Sequence, residues 1–174
     1  MPADDHPPRS FFERTGARVI VIDAESREVL LMRGADPADR ARGDFWITPG
    51  GGLDENEDTA QGAARELWEE VGLHLDITSL GPVVLRRIGE FPFAGELVRQ
   101  TEAYYAVVTA RFEPSPRVVT SFEEEVVQSI EWRSLDEIAT SAQPVYPNCL
   151  VPLVSEVLSN GHPTTPWSEE QRLV

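Results

Sequence analysis

The sequence contains no lysine, because all 15 of its basic residues are arginines. The absence of lysine excludes mechanisms that need an amine side chain, including Schiff-base chemistry and a phosphate-binding loop of the Walker type. Cysteine is nearly absent as well, since the single Cys149 has no partner for a disulfide within the chain. A chain without an internal disulfide fits a reducing compartment, and we therefore predict a cytoplasmic protein.

Long apolar runs and net positive charge are also missing. No hydrophobic stretch approaches the roughly 20 residues of a transmembrane helix, so we predict no membrane-spanning segment. The 30 acidic residues outnumber the 15 basic ones and give a formal net charge of -15. A negative surface field disfavours binding to nucleic acid or to anionic membranes. A small anionic partner remains compatible with this charge if metal ions reverse its sign locally.

Length and composition predict one domain. A chain of 174 residues with a hydrophobic fraction of 41% can bury a substantial core. Residues 1–13 and 161–174 are rich in proline, serine and charge. We expect them to form a flexible N-terminal segment and a C-terminal tail outside the compact core, with Trp167 as a residue able to anchor the tail. The predicted domain covers residues 14–160.

Alternation of apolar and polar residues predicts a mixed architecture of strands and helices. The segments 17–23 and 28–32 predict two strands joined as a hairpin. Further strands are predicted over 45–48, 83–88, 97–99, 102–108 and 129–133. Helices are predicted over 59–71, 135–140 and 149–159. This order of elements indicates an α/β or α+β sandwich.

The segment 59–71 is the best-defined helix. Asp58 can cap its N-terminus, with Gln61 at the capping-box spacing, and Gly72 is placed to end it. A rotation of about 100° per residue brings three carboxylates, those of Glu66, Glu69 and Glu70, to one flank of the apolar face. Clustered carboxylates repel one another unless a cation lies among them.

Oxygen-rich clusters of this kind suit hard divalent cations such as Mg²⁺ or Mn²⁺. The alternative is a solvated acidic face stabilised by acid–base pairs within the helix. Arg65 is the sole base of the segment 59–71, so the helix cannot neutralise its own charge. The pattern therefore favours a metal-holding helix.

Residues 51–73 also contain a complete family motif. They match every fixed position of the Nudix box, Gx5Ex7REUxEExGU with U an aliphatic residue, at Gly51, Glu57, Arg65, Glu66, Leu67, Glu69, Glu70, Gly72 and Leu73. The sequence thus resembles the Nudix hydrolase family. The resemblance implies an α/β/α sandwich over about residues 14–160, with a mixed sheet against which the box helix packs.

The resemblance further implies a metal-dependent hydrolase. Such enzymes cleave a phosphoanhydride (pyrophosphate) bond in a nucleoside diphosphate linked to another moiety, by attack of water on phosphorus. The implied ligands of Mg²⁺ or Mn²⁺ are the carboxylates of the box helix and a backbone carbonyl of the loop 49–52, namely Glu66, Glu69, Glu70 and Gly50. Arg65 corresponds to the arginine that orients these glutamates, and Glu57 to the box acid that supports them.

The general base has several candidates. A box glutamate, with Glu69 as the first choice, or an acid from a later loop can accept the proton of the attacking water. The later candidates belong to one acidic run before the last predicted strand: Glu123, Glu124 and Glu125. A solvated acidic loop explains that run equally well.

Three functional readings compete. The first is the hydrolase, acting on a small nucleotide or nucleoside diphosphate derivative. The second is a domain on the same fold that senses a nucleotide without cleaving it, although sensor versions often lose box acids. The third, an isomerase that uses a cysteine, is disfavoured because Cys149 lies in the last predicted helix. Many relatives are homodimers, and we leave a homodimer as an expectation.

Overall fold

The computed structural model describes residues 10–173. Residues 1–9, most of the predicted flexible N-terminal segment, lie outside the described range, as does residue 174. Among the described residues, no helix has the length and the apolar character that are needed to cross a membrane.

The centre of the fold is a mixed sheet with the strand order β8-β3-β2-β1-β6-β5-β9. The remaining two strands, β4 and β7, pair with β1 and β2 respectively. The strands are β1 (Phe12–Asp23), β2 (Glu28–Ala35), β3 (Asp44–Ile47), β4 (Gly50–Gly52), β5 (Leu85–Phe93), β6 (Glu96–Thr109), β7 (Val127–Ser134), β8 (Val145–Tyr146) and β9 (Trp167–Gln171). The predicted β1–β2 hairpin is present, with Asp23 opposite Glu28.

Four α-helices within residues 10–173 accompany the sheet: α1 (Thr59–Val71), α2 (Ser121–Val126), α3 (Leu135–Ala139) and α4 (Leu150–Asn160). The helix α1 has the predicted bounds. The helix α2 was not predicted, because a short acidic segment shows no helical apolar period. Its capping box, between Thr120 and Glu123, is the local feature that starts this helix.

Hydrophobic residues form two clusters on the two faces of the sheet. The side chains of β1 alternate between them, with Val19 and Val21 in the cluster that contains α1. Ile20 and Ile22 belong to the cluster that contains α3 and α4. This alternation follows from the two-residue period of a strand. A central sheet with helices on both faces confirms the predicted α/β fold.

The C-terminal residues differ from the expectation that they lie outside the compact core. The strand β9 pairs in parallel with β5 and extends the sheet at its edge. Trp167 packs against the cluster of α3 and α4, and its backbone N–H donates to the carbonyl of Val84 at 2.8 Å. The content of proline and charged residues suggested a tail. The apolar contact of Trp167 and the backbone pairing with β5 instead stabilise the strand β9.

Candidate active site

The helix α1 is fixed at both ends by local interactions. The Asp58 side chain accepts hydrogen bonds from the backbone N–H groups of Ala60 and Gln61, and the Gln61 side chain accepts from the Asp58 N–H. Gly72 ends the helix in the left-handed conformation, with φ of 76°. Left-handed backbone is favourable for glycine because it has no Cβ. These caps set the rotation of the helix and hence the direction of its carboxylates.

The buried face of α1 includes two of its glutamates. Ala63, Leu67 and Val71 pack into the core beneath the sheet. Glu66 and Glu70 lie beside them, with only 7% and 9% of their surface exposed. Burial of two carboxylates is costly unless they are neutralised or paired, so it marks this flank as a functional position.

Arg65 connects the acids that surround the helix. Its Nε and Nη2 each donate to the carboxylate of Glu57 at 2.9 Å, which lowers the pKa of Glu57. Its Nη1 donates to Glu66 and to Glu69, each at 3.0 Å. Nη2 also donates to the Gly52 carbonyl at 2.9 Å. One guanidinium therefore orients three carboxylates and binds the neighbouring strand to the helix.

The glycines of β4 let that strand approach the helix closely. The Gly50 N–H donates to Oε2 of Glu70 at 2.6 Å. A Cβ on Gly51 would lie 2.6 Å from Oε1 of Glu66, so a side chain there would displace that carboxylate. Gly50 has φ of 133°, and a Cβ would lie 2.3 Å from the Ala17 carbonyl oxygen. The backbone therefore requires glycine at position 50, whereas glycine at position 51 leaves room for the Glu66 carboxylate.

Three carboxylates meet beside these glycines. Glu66, Glu70 and Glu123 each offer an oxygen within 4.8 Å of the others. Burial raises the pKa of Glu70 to about 8, and repulsion from Glu66 and Glu123 adds to this effect. Burial raises the pKa of Glu66 as well, although Arg65 opposes the shift. These carboxylates lack sufficient neutralising charge, and a divalent cation would supply it.

The other predicted site residues lie around this cluster. Glu69 is bound to Arg65 and does not belong to the group of three carboxylates, although the sequence placed it among the metal ligands and as first choice of base. The Gly50 carbonyl accepts a hydrogen bond from Nη1 of Arg18 at 3.0 Å, which leaves one lone pair for another partner. Glu124 and Glu125 are exposed, unlike their neighbour Glu123.

A cavity of about 350 Å³ opens beside the carboxylates and the glycines of β4. Glu66, Glu70 and Glu123 line it, but Glu69 does not. Its other walls carry a group of phenylalanines and a group of arginines: Phe45, Phe91, Phe93, Phe122, Arg14, Arg18, Arg42 and Arg87. The rings contact each other edge to face, as Phe93 and Phe122 do at a centroid distance of 6.1 Å.

Sequence reasoning missed a buried ion cluster on the cavity floor. Glu102 pairs with both Arg18 and Arg87, and Arg87 also pairs with Glu169 at 2.9 Å. Burial alone would raise the pKa of Glu102, but the two arginines hold it below its usual value. The one sign of this cluster in the sequence was a charged residue within each of three apolar strands, namely Arg18 in β1, Arg87 in β5 and Glu102 in β6. The partners are 84 residues apart, so the sequence could not pair them.

Comparison with known proteins identifies the family of the chain. The NUDIX domain family model matches residues 13–150. A MutT-like protein from Streptomyces ambofaciens is 28% identical over 126 residues, which cover 72% of this chain and 68% of the relative. The human m7GpppN-mRNA hydrolase NUDT17 is 38% identical over 56 residues, or 32% of this chain. The chain spans only 17% of the length of the human hydrolase and 24% of its bovine counterpart.

Solved structures share the fold at low sequence identity. A MutT Nudix hydrolase from Burkholderia pseudomallei has a TM-score of 0.55 and 22% identity, over 84% of this chain and 98% of that chain. A MutT protein from Bacillus halodurans has a TM-score of 0.55 and 20% identity, over 86% of this chain and 84% of that chain. The family match, the complete box and the shared fold together establish that the chain belongs to the Nudix family.

Proposed function

We propose that the protein is a metal-dependent hydrolase that cleaves a phosphoanhydride bond in a nucleoside diphosphate linked to another moiety. The observation that carries this proposal is the meeting of Glu66 and Glu70, from an intact Nudix box, with Glu123 at the wall of the cavity. The net charge of -15 favours a small nucleotide over a nucleic acid as partner. We propose action in the cytoplasm and leave a homodimer as a prediction.

The donor set fits Mg²⁺ or Mn²⁺. All three side chains are carboxylates, which are the ligands that hard divalent cations prefer. We propose Glu66, Glu70 and Glu123 as ligands, with the Gly50 carbonyl and Glu69 as further candidates from the family pattern. When bound, a divalent ion neutralises phosphate oxygens and lowers the pKa of a water molecule.

The chain's own residues prepare this site. The Gly50 N–H and Arg65 hold Glu70 and Glu66 in place, so that little reorganisation is needed on binding. The attacking water must lose a proton, and the candidates for accepting it are Glu69 and Glu123. Glu123 lines the cavity, whereas Glu69 is engaged by Arg65, and this favours Glu123, which would face the metal with one carboxylate oxygen and accept the proton on the other.

A panel of nucleoside diphosphate derivatives with Mg²⁺ or Mn²⁺ tests the proposal. We expect turnover of at least one compound, with losses of about 100-fold or more in Glu66→Gln, Glu70→Gln and Glu123→Gln. Glu124→Gln is the matched control, because it removes an exposed neighbouring acid. Equal activity in the first three variants would exclude this metal site.

Glu69→Gln decides between the two views of the general base. A loss as large as that of Glu123→Gln assigns Glu69 a direct part in catalysis. A smaller loss, with weaker binding of the metal, assigns it to the orientation of Arg65. Nucleotide binding without turnover across the whole panel would instead favour the non-catalytic sensor.

A further inference from the structure

The cavity contains four arginines that differ in how fully they are paired. These are Arg14, Arg18, Arg42 and Arg87. In a chain that is strongly acidic and has no lysine, they are the side-chain cations of the cavity that an anionic ligand can use. An arginine can bind such a ligand when its guanidinium N–H groups are not already bonded to the protein.

Arg18 and Arg87 are already neutralised. Both pair with the buried Glu102, and Arg87 pairs with Glu169 as well. Further donors bind oxygens of the protein itself: Nη1 of Arg18 binds the carbonyls of Thr48 and Gly50, and Nη2 of Arg87 binds the Gln171 side chain. Breaking a buried ion pair to bind a ligand would leave an uncompensated carboxylate, so these two arginines serve the fold of the cavity floor.

Arg42 lies at the aromatic end of the cavity. It is exposed, and its Nη1 donates to the carbonyl of Pro92 at 3.0 Å. Pro92 stands between Phe91 and Phe93, so Arg42 is attached to the wall of phenylalanines. That position is suited to the non-phosphate part of a ligand.

Arg14 differs from the other three. It is half-buried and lines the cavity, and its side chain makes no hydrogen bond or ion pair with any residue in the range 10–173. Unpaired arginine is unusual in a protein with twice as many acids as bases. All five N–H donors of its guanidinium are therefore available.

The position of Arg14 relates it to the carboxylates. Its Nη2 lies 3.0 Å from the point where a Cβ on Gly52 would stand. The preceding residue, Gly51, would bring a Cβ to 2.6 Å from Oε1 of Glu66. Successive residues of a strand face opposite sides, so Arg14 and Glu66 approach β4 from its two faces, and both line the same cavity.

We propose that Arg14 is a substrate-binding residue that holds one phosphate of the diphosphate group. The inference rests on the proposed function, since it identifies the ligand as a diphosphate bound next to the carboxylate cluster. A planar guanidinium binds phosphate oxygens through two parallel hydrogen bonds, which a lysine ammonium cannot reproduce. Arg14 thereby supplies the fixed positive charge of the site, beside the exchangeable charge of the metal ion.

The test compares Arg14→Gln, Arg14→Lys and the control Arg86→Gln. Arg86 is an exposed arginine on β5 that does not line the cavity, so its variant matches the change in net charge. With the best substrate of the panel, we expect Arg14→Gln to raise KM about 10-fold or more with little change in kcat. Arg14→Lys restores part of the affinity, and Arg86→Gln leaves it unchanged.

Binding of methylenediphosphonate, a diphosphate analogue that resists hydrolysis, gives a second measurement by calorimetry with Mg²⁺. Weaker binding in Arg14→Gln, with unchanged Mg²⁺ affinity, supports the proposal even if no substrate of the panel is cleaved. Equal KM or equal affinity for the analogue in Arg14→Gln and wild type overturns it while the hydrolase assignment stands. Wild-type protein that neither cleaves the panel nor binds the analogue refutes both.

Discussion

The backbone N–H of Gly50 donates a hydrogen bond of 2.6 Å to Oε2 of Glu70, which joins the glycine strand β4 to the box helix. Besides this donor, the buried Glu70 carboxylate has the acids Glu66 and Glu123 as neighbours, which raise its pKa, and Arg18, which lowers it. Its protonation state is therefore coupled to metal binding and to the stability of the fold.

The first prediction concerns the pH dependence of the metal-free protein. The pKa of Glu70 rises from its usual 4.5 to about 8, so the neutral carboxyl stabilises the fold. This contribution is complete below pH 4.5 and is lost as the pH rises through about 8. Without metal, we expect Tm to fall over that range in wild type, with a smaller fall in Glu70→Gln.

Metal binding should reverse this loss. A metal ligand must be deprotonated, so Mg²⁺ affinity should rise by up to about 10-fold per pH unit below pH 8. Thermal melts at several pH values, with and without Mg²⁺, measure both effects. An identical Tm profile in wild type and Glu70→Gln would show that Glu70 does not titrate in this range.

The second prediction concerns the close approach at Gly51. In Gly51→Ala, the new methyl group meets the Glu66 carboxylate, which must rotate away from the cluster. We expect metal affinity and turnover to fall by about 10-fold or more, with a folded protein by circular dichroism. Gly95→Ala is the control, because its Cβ meets nothing within 4 Å while its positive φ makes the backbone strained.

That control separates two effects of adding a methyl group. Gly95→Ala should lower Tm through backbone strain without weakening metal binding. Gly51→Ala should weaken metal binding whatever its effect on Tm. Similar metal affinity in Gly51→Ala and wild type would contradict the tight contact with Glu66.

Capping residues and helical periodicity predicted the box helix α1, but they did not predict which acid from elsewhere in the chain lies next to its glutamates. The bounds of α1 and its capping residues follow from neighbouring residues, and so does the flank that carries Glu66 and Glu70. The proximity of Glu123 does not, because it depends on how α2 folds back over the cavity. The sequence offered three consecutive acids there with no means of ranking them, and only burial distinguishes Glu123 from Glu124 and Glu125.

Long-range pairing limited the prediction of the fold in the same way. Most strand segments were visible as apolar runs, whereas the short strands β4 and β8 were not predicted and the edge strand β9 was mistaken for a tail. Its sequence, from Trp167 to Gln171, contains two glutamates and one serine, and it is held by β5 and by the ion pair of Glu169 with Arg87. Such contacts between distant residues leave no periodic pattern in the sequence.

The third prediction concerns the buried ion cluster of Glu102. The arginines Arg18 and Arg87 hold the pKa of this carboxyl below its usual 4.5 despite burial. A lowered pKa contributes stability above the unfolded value, and this is lost as the pH falls through the folded value. We expect Glu102→Gln to cost about 3–5 kcal/mol of unfolding free energy at pH 7.

Urea unfolding at pH 7 and at pH 4 or below measures this contribution. The cost of Glu102→Gln should shrink as the pH falls below 4.5, because unfolding of the wild type then takes up a proton at this carboxyl. Glu13→Gln removes an exposed partner of Arg99 and should change stability little at either pH. A cost of Glu102→Gln that does not depend on pH would indicate that packing, rather than charge, sets the stability at this position.

The fourth prediction concerns the reactivity of Cys149. Burial and the nearby Glu169 carboxylate raise the pKa of its thiol to about 12. The thiolate is the form that reacts, and an unperturbed cysteine has a pKa of about 8.5. Because the pKa of Cys149 lies far above that value, its thiolate fraction at pH 8 is much smaller than that of an unperturbed cysteine. We expect alkylation by iodoacetamide to be about 100-fold slower or more in native protein than in urea.

Because the chain has one cysteine, mass spectrometry follows the reaction directly. Glu169→Gln removes the repulsive charge and should accelerate alkylation, whereas Glu170→Gln, on the adjacent residue of β9, should not. Equal rates in native and urea-unfolded protein would mean that neither burial nor Glu169 protects the thiol.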